Sequence, residues 1–323
     1  MSISNCFPFD SLTPPNHVFS RPLRVGIGRA TGHHGELLQG VFSDEAGRLH
    51  RALLTLPCHR AESIVTFWPD DGAAIRTRPD GRDKAAKAAT LAFQELGYWD
   101  ARGSLTIETS IPVGYGYGSS TADVIAAIRS AAAAAGAELH RQAICRLAVA
   151  AETASDAIVF GEQAVLFAQR EGTVFEYFSG EYPPLYVVGF VSRDDPPVDT
   201  LSAMPARYDP SEIESFRVLR GLARHAIREG DAGLLGQVST ASARISQRHL
   251  PKRHFDQLLK ISDEVGGCGV QVAHSGNLMG VLIDARDPHA ARRATAAAAL
   301  ARECGFVDVL RFSVNVDGIP LWG

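Results

Sequence analysis

Apolar residues recur at helical spacing in several segments of the chain. In residues 84–96, Ala85, Ala88, Leu91 and Ala92 fit a period of 3.6 residues, which predicts a helix with one buried face. Gly136 follows the segment at residues 120–135, where a glycine is a typical signal for the end of a helix. The same pattern predicts helices over residues 120–135, 142–154, 211–229, 232–247, 254–265 and 288–303.

Short apolar or alternating runs predict the strands. Residues 61–68 alternate, with Ile64 and Thr66 set against Val65 and Phe67. Glycine-rich or polar stretches at residues 28–40, 70–80, 111–119 and 194–197 predict turns and loops, and residues 1–22 an irregular arm. The predicted strands are residues 24–27, 53–57, 61–68, 105–109, 173–178, 185–191, 278–284 and 307–316.

These strands come as pairs with helices between them, which favours an α+β fold with helices on one face of the sheet. The length of 323 residues predicts two domains. Because the composition shifts near residues 180–184, we expect one domain over residues 1–180 and the other over residues 181–323.

Charge and cysteine content narrow the class of protein. The chain has 32 basic and 36 acidic residues and no basic block, so nothing in it predicts a nucleic-acid partner. It has no apolar run long enough for a membrane span, and its start does not resemble a signal peptide. The five cysteines form no Cys-x-x-Cys pair, which argues against a disulfide framework or zinc site. We therefore expect a cytoplasmic protein with reduced thiols.

The stretch from Pro112 to Asp123 is the first that carries chemistry. Three glycines lie between a predicted strand and a predicted helix, where the backbone can approach an anion closely. Ser119 and Ser120 then lie at the start of the helix, whose free N–H groups and dipole suit a phosphate. A glycine hinge with serine as helix N-cap explains the same residues equally well.

The stretch from Ala30 to Gly40 holds a cluster of titratable residues, namely His33, His34 and Glu36. The histidines are interpreted as residues that line a pocket or a turn, rather than as metal ligands. A zinc site would need more ligands in a fixed geometry than this stretch offers.

Two carboxylates at Glu152 and Asp156 are spaced i, i+4, so a helix would place them on one face. A pair of carboxylates on one face can divide the work of holding a divalent cation and of orienting or deprotonating a hydroxyl. Two carboxylates on an exposed helix are the alternative.

The stretch from Gly266 to Gly280 has glycines on both sides of a short apolar segment, a pattern that suits a loop closing over a ligand. Its candidate ligand contacts are Gly269, His274 and Ser275. For the histidine and serine, a purely structural turn is the alternative.

Three of these stretches resemble motifs of the GHMP kinase superfamily. Residues 112–122 resemble its second motif, Pro-x-x-x-Gly-Leu-Gly-Ser-Ser-x-Ala, with Tyr117 in place of Leu. Residues 30–40 resemble the first motif of the L-threonine kinase-like branch of cobalamin side-chain synthesis, with His34 where that branch commonly has Cys. Residues 266–280 resemble the third motif, with Asn277 in place of Thr. The resemblance covers roughly residues 25–282.

The resemblance implies a two-domain GHMP kinase fold, with an N-terminal α+β ATP-binding domain, a ferredoxin-like C-terminal domain and the site between them. It implies ATP and Mg²⁺ as cofactors, with Ser120 and Glu152 holding the metal and Asp156 acting on the hydroxyl. Glu36 would contact the substrate's amino group or the metal. The ATP-binding residues implied are Pro112, Gly114, Tyr115, Gly116, Tyr117, Gly118, Ser119, Ser120 and Thr121. The substrate contacts implied are Glu36, His33, His34, Gly269, His274 and Ser275.

The implied reaction is transfer of the ATP γ-phosphoryl group to a small hydroxylated metabolite. L-threonine is the leading acceptor and would give O-phospho-L-threonine. The alternatives are a kinase of another small alcohol such as homoserine or a specialised metabolite, a non-catalytic ATP-binding regulator, and a metal-dependent hydrolase built on His33, His34 and Glu36. The resemblance also leaves a homodimer open.

Overall fold

The computed structural model describes residues 21–192, 207–273 and 276–316, so the irregular arm up to residue 20 and the turn at residues 194–197 lie outside the described residues. Within these ranges the chain forms seven helices and ten strands. The helices are α1 (Asp83–Glu95), α2 (Ser119–Ala134), α3 (Arg141–Glu152), α4 (Pro210–Glu229), α5 (Ala232–Ser246), α6 (Phe255–Glu264) and α7 (Ala290–Glu303). The strands are β1 (Gly26–Ser43), β2 (Leu49–Pro69), β3 (Ile75–Arg78), β4 (Gly103–Thr109), β5 (Gln163–Ala168), β6 (Thr173–Glu181), β7 (Leu185–Ser192), β8 (Gly269–Val272), β9 (Leu278–Asp284) and β10 (Phe306–Val314).

One sheet runs through both halves of the chain in the order β10-β7-β9-β8-β1-β2-β4-β3, and β5 pairs with β2 and β6. After β6 the elements follow as strand, helices, two strands, helix and strand, and the pairs are all antiparallel. This order is the ferredoxin-like pattern expected for the C-terminal part. Glu36 of β1 pairs with Val272 of β8 and joins the two halves. The division at residues 180 and 181 stays a prediction.

The glycine-rich stretch at residues 28–40 is strand, so the prediction of a turn there is wrong. Glycines of β1 serve packing: a Cβ on Gly26 would lie 2.2 Å from the carbonyl oxygen of Ser130, and one on Gly28 would lie 2.0 Å from that of Ala126. Helix α2 therefore lies directly on the backbone of β1. The ladder with β2 is also interrupted by bulges between residues 31 and 38, which re-aim the side chains there.

Besides β5, which no predicted strand covers, two short strands escape the sequence pattern. The predicted polar turn at residues 70–80 contains β3, which pairs in parallel with β4, and β8 lies in the predicted glycine loop. Each has four residues, which is too short for an alternating pattern to stand out.

Helices cover both sides of the sheet at β7. The prediction that helices lie on one face of the sheet is therefore wrong for this part of the fold. All eight residues of β7 are buried. Leu185 and Val187 belong to the cluster built with α4 and α5, whereas Tyr186 and Val188 belong to the cluster built with α6 and α7. Among the described residues, no helix combines the length and apolar character that crossing a bilayer requires.

The contact between α2 and β1 makes Gly28 intolerant of a side chain. We expect Gly28→Ala to lower the free energy of unfolding by about 3 kcal/mol or more, because the new methyl group meets helix backbone that has no room to move. The matched control is Gly221→Ala in α4, where a Cβ has no neighbour within 4 Å. That change should stabilise by about 0.5–1 kcal/mol. Urea unfolding measures both, and equal effects would contradict the packing argument.

Candidate active site

The loop between β4 and α2 is a backbone cradle. Gly114, Gly116 and Gly118 have φ angles of 88°, 101° and 71°, which side-chain-bearing residues rarely adopt. The N-cap of α2 is Gly118, without a side-chain cap, so the alternative of a serine N-cap is wrong. The first N–H groups of a helix have no partner within it, and they add to its positive end. The loop and helix together suit an anion such as phosphate.

The loop is held from both sides. On one side the backbone N–H of His33 donates to the carbonyl of Tyr117 over 3.0 Å. On the other side the N–H groups of Asn277 and Leu278 donate to the carbonyl of Tyr115 over 2.9 and 3.1 Å. A Cβ on Gly116 would lie 2.7 Å from the Cβ of Ala273, so this contact leaves no room for a side chain.

Lys252 is a residue near this loop that the sequence patterns miss. Its side chain is buried, and its ammonium donates to the carbonyl of Gly276, whose own backbone packs against Gly116. Lys252 lies in the segment that links α5 and α6 and belongs to none of the motifs found in the sequence. Its burial and its contact with the Gly276 carbonyl become visible only in three dimensions.

The two predicted carboxylates meet, although not as a helical face. Helix α3 ends at Glu152, and Thr153, with φ of 76°, turns the chain so that Asp156 precedes a short 3₁₀ turn. Both side chains face the start of α2. The Ser120 hydroxyl donates to Oε2 of Glu152 over 3.0 Å, and the Thr121 hydroxyl reaches Oε1 of Glu152 at 2.9 Å and Oδ2 of Asp156 at 3.2 Å.

Strand β1 adds a histidine and a third carboxylate to this group. His33 and Glu36 are each only 2% exposed, and the bulge between them contains Gly35, with φ of 64°. Nε2 of His33 lies 3.0 Å from Oδ2 of Asp156. The ligand atoms of His33, Glu36 and Asp156 all lie within 4.8 Å of one another.

His34 faces other partners. Its Nδ1 lies 3.0 Å from Oε1 of Gln271, and the amide of Gln271 donates to the His34 carbonyl. Its ring contacts the rings of Tyr117 and Phe312. Burial lowers the pKa of His34 to about 4, so it is neutral at pH 7. This arrangement does not favour the metal-hydrolase alternative, because His34 is tied to Gln271 rather than grouped with His33 and Glu36.

The charges of the group are interdependent. Burial, together with the charge of Asp156, raises the pKa of Glu152 to about 7. Burial alone would lower the pKa of His33, but the charge and hydrogen bond of Asp156 and the charge of Glu36 outweigh it and raise that pKa to about 9. Burial would raise the pKa of Asp156, but the His33 charge holds it below its usual range. At neutral pH, Asp156 is therefore ionised beside a protonated His33.

The residues around Glu152 fit a divalent cation. Its carboxylate and the hydroxyl of Ser120 form an all-oxygen set of the kind that Mg²⁺ prefers. The raised pKa of Glu152 comes from burial and from the neighbouring Asp156 charge, and a nearby cation would relieve both.

The remaining predicted site residues are more dispersed. Pro112 is exposed at the entrance to the loop, and Ser119 is buried in the first turn of α2. Gly269 begins β8, where a Cβ would lie 2.2 Å from the carbonyl oxygen of Gly236 in α5, so packing by itself requires glycine there. His274 and Ser275 lie outside the described residues.

The chain is similar to known proteins in sequence and in fold. Residues 83–162 match the family model of the GHMP kinases N terminal domain. The chain is 30% identical over 276 residues to an L-threonine kinase of Salmonella typhimurium, covering 83% of this chain and 86% of the relative. A crystal structure of homoserine kinase from Cytophaga hutchinsonii superposes with a TM-score of 0.67 at 14% identity, covering 93% of this chain and 98% of that one. A structure of MDDEF in complex with MVAPP, AMPPCP and magnesium gives 0.64 at 14% identity, covering 90% and 97%.

The raised pKa of Glu152 predicts a pH-dependent cost to stability. A carboxyl whose pKa rises from 4.5 to about 7 on folding contributes stability at low pH, and that contribution is lost as pH rises through this window. In magnesium-free buffer at pH 8, Glu152→Gln should therefore unfold with a free energy about 2–3 kcal/mol above that of the unsubstituted chain.

Urea unfolding at pH 5 and pH 8 measures this difference, which should be small at pH 5. Added Mg²⁺ should stabilise the unsubstituted chain more than the variant. Glu108→Gln, an exposed carboxylate on β4, is the control and should change neither comparison. Equal pH dependence of the two chains would show that Glu152 is not buried beside a like charge.

Proposed function

Because the chain belongs to the GHMP kinase family and transfers a phosphoryl group to a hydroxyl group of a small molecule, we propose that its donor is ATP and its acceptor L-threonine. The product is then O-phospho-L-threonine. The similarity to an L-threonine kinase over most of the chain supports the acceptor. The observation that carries the proposal is the hydrogen-bonded group of Thr121, Glu152, Asp156 and His33 at the start of α2.

The loop from Gly114 to Gly118 and the first turn of α2 bind the phosphates of ATP. Backbone with positive φ angles can turn its N–H groups toward a bound anion, and the helix N-terminus adds its partial positive charge. The backbone contacts to Tyr115 and Tyr117 hold this shape before the nucleotide arrives. Preorganised donors of this kind cost no reorganisation during the reaction.

Ser120 and Glu152 are the residues that hold Mg²⁺. When bound, the ion would supply positive charge to neutralise the phosphate oxygens. The hydroxyl of Thr121 lies between Glu152 and Asp156 and fixes the position of the two carboxylates relative to each other. The metal-holding and hydroxyl-orienting tasks thus fall to neighbouring side chains with different pKa values.

Asp156 orients the acceptor. Its Oδ2 is occupied by His33 and Thr121, which leaves Oδ1 for the hydroxyl of the substrate. The hydroxyl oxygen attacks the γ-phosphorus, the bond to the bridging oxygen breaks, and ADP leaves. Because the pKa of Asp156 is low, it accepts the hydroxyl proton late, after most of the phosphoryl transfer.

Glu36 is the group that recognises an amino acid as acceptor. Its buried carboxylate lies within 4.8 Å of Asp156, a distance that lets one small molecule reach both. A buried carboxylate favours a cationic partner, and the ammonium of threonine supplies one. The cytoplasmic location and the homodimer stay predictions.

The role of Asp156 predicts a kinetic signature. Asp156→Asn should lower kcat by about 10²-fold or more, because the hydroxyl loses its acceptor, while binding of an ATP analogue stays nearly unchanged. Coupled ADP-release kinetics and calorimetric nucleotide titration measure the two properties. An unchanged kcat would remove Asp156 from the mechanism, and absence of turnover in the unsubstituted chain would favour a non-catalytic regulator.

The acceptor is tested by comparing kcat/KM for L-threonine, L-homoserine and a simple alcohol without an amino group. We expect L-threonine to be used best and the alcohol worst, because only the amino acids offer an ammonium to Glu36. Glu36→Gln should raise KM for L-threonine and lower the ratio of kcat/KM for L-threonine to kcat/KM for the alcohol. Faster turnover with L-homoserine would support the kinase activity but contradict L-threonine as the acceptor.

A further inference from the structure

His33 has an acceptor at each ring nitrogen. Nδ1 lies 3.3 Å from the carbonyl oxygen of Gly35, and Nε2 lies 3.0 Å from Oδ2 of Asp156. A carbonyl cannot donate, and an ionised carboxylate cannot either. A neutral imidazole has only one N–H. Its other ring nitrogen would then place a lone pair against an oxygen that can only accept a hydrogen bond. Both contacts are satisfied together only when the ring carries two protons.

The ring is also fixed in position. The ring is 2% exposed, and the backbone N–H of His33 donates a hydrogen bond to the carbonyl of Tyr117 in the loop between β4 and α2. A Cβ on Gly118 would lie 2.3 Å from Cδ2 and 2.5 Å from Nε2 of the ring, so the loop passes directly over it. The histidine is therefore clamped between the nucleotide-binding loop and Asp156.

We propose that His33 is a positioning residue for phosphoryl transfer, holding Oδ2 of Asp156 through its imidazolium so that Oδ1 faces the acceptor hydroxyl. This inference rests on the proposed function, since the acceptor hydroxyl meets Asp156 there. In this role His33 acts through Asp156, and not through the contact with the substrate that the family resemblance implies for it. It links the loop that holds the nucleotide to the carboxylate that orients the acceptor.

The charged and titratable groups around the ring agree with a cationic His33. Asp156 faces it from the turn after α3 and Glu36 from β1, while Glu152 reaches the same oxygen of Asp156 through Thr121. The neighbouring His34 is neutral, and Asp156 and Glu36 raise the pKa of His33 although burial opposes this. A metal held by His33, Glu36 and Asp156 would need a lone pair on one ring nitrogen of His33, and a ring protonated at both nitrogens has none.

Kinetics of a double-mutant cycle test the role. We expect His33→Leu to lower kcat for the best acceptor by about 10²-fold with little change in KM for ATP, and His33→Gln, which keeps one neutral donor, to lose less. In the Asp156→Asn background neither change should lower kcat further, because His33 acts through that carboxylate. His225→Gln, an exposed histidine on α4, is the control. Additive losses would overturn the proposal.

Histidine ¹⁵N NMR tests the charge without any turnover. In the unsubstituted chain one histidine should keep both ring protons at pH 8, and Asp156→Asn should lower its titration midpoint by a unit or more. A neutral His33 at pH 7, or an equimolar metal ion that removes its ring proton, would overturn the proposal. A chain that phosphorylates no alcohol overturns the proposed function instead, and the NMR result still decides whether Asp156 holds His33 as an imidazolium.

Discussion

The close approach of α2 to β1 is the constraint on which the rest of the site depends. Gly26 and Gly28 let the helix backbone rest on the strand backbone, where any Cβ would collide. This contact fixes the direction of α2, and its first turn then lies beside the bulged part of β1. Ser120, Thr121 and His33 come together because a strand and a helix meet without side chains between them.

Electrostatics completes what packing begins. Three carboxylates lie near one another in this region, and such a group would be unstable if all were ionised and unpaired. The protonated ring of His33 balances Asp156. Among the described residues, the hydrogen-bond partners of Glu152 are the hydroxyls of Ser120 and Thr121, and burial together with the Asp156 charge raises the pKa of Glu152. The unbalanced carboxylate is thus the one suited to a cation, and the balanced one is free to orient a neutral hydroxyl.

The sequence predicts the helices of this fold well, because each repeats its apolar face over ten or more residues. It fails at residues 28–40, where a glycine cluster signals a turn but serves a helix contact that no local pattern records. The pairing of Glu152 with Asp156 is predicted for a wrong reason, since Thr153 ends the helix and the chain turns back. The His33 contact to Asp156 spans 123 positions, and Lys252 lies in no motif, so neither can be found without the fold.

Three described residues after position 181, Gln271, Asn277 and Lys252, contribute to the site by fixing backbone. Gln271 holds both the ring and the carbonyl of His34, which sets the bulge that presents His33 and Glu36. Asn277 holds the carbonyl of Tyr115 in the loop, and Lys252 holds the segment at Gly276 that packs on it. The side chains assigned to the chemistry therefore come from the first half, while their geometry depends on the second. A displacement between the halves would first disturb the loop and the bulge, and only through them the carboxylates.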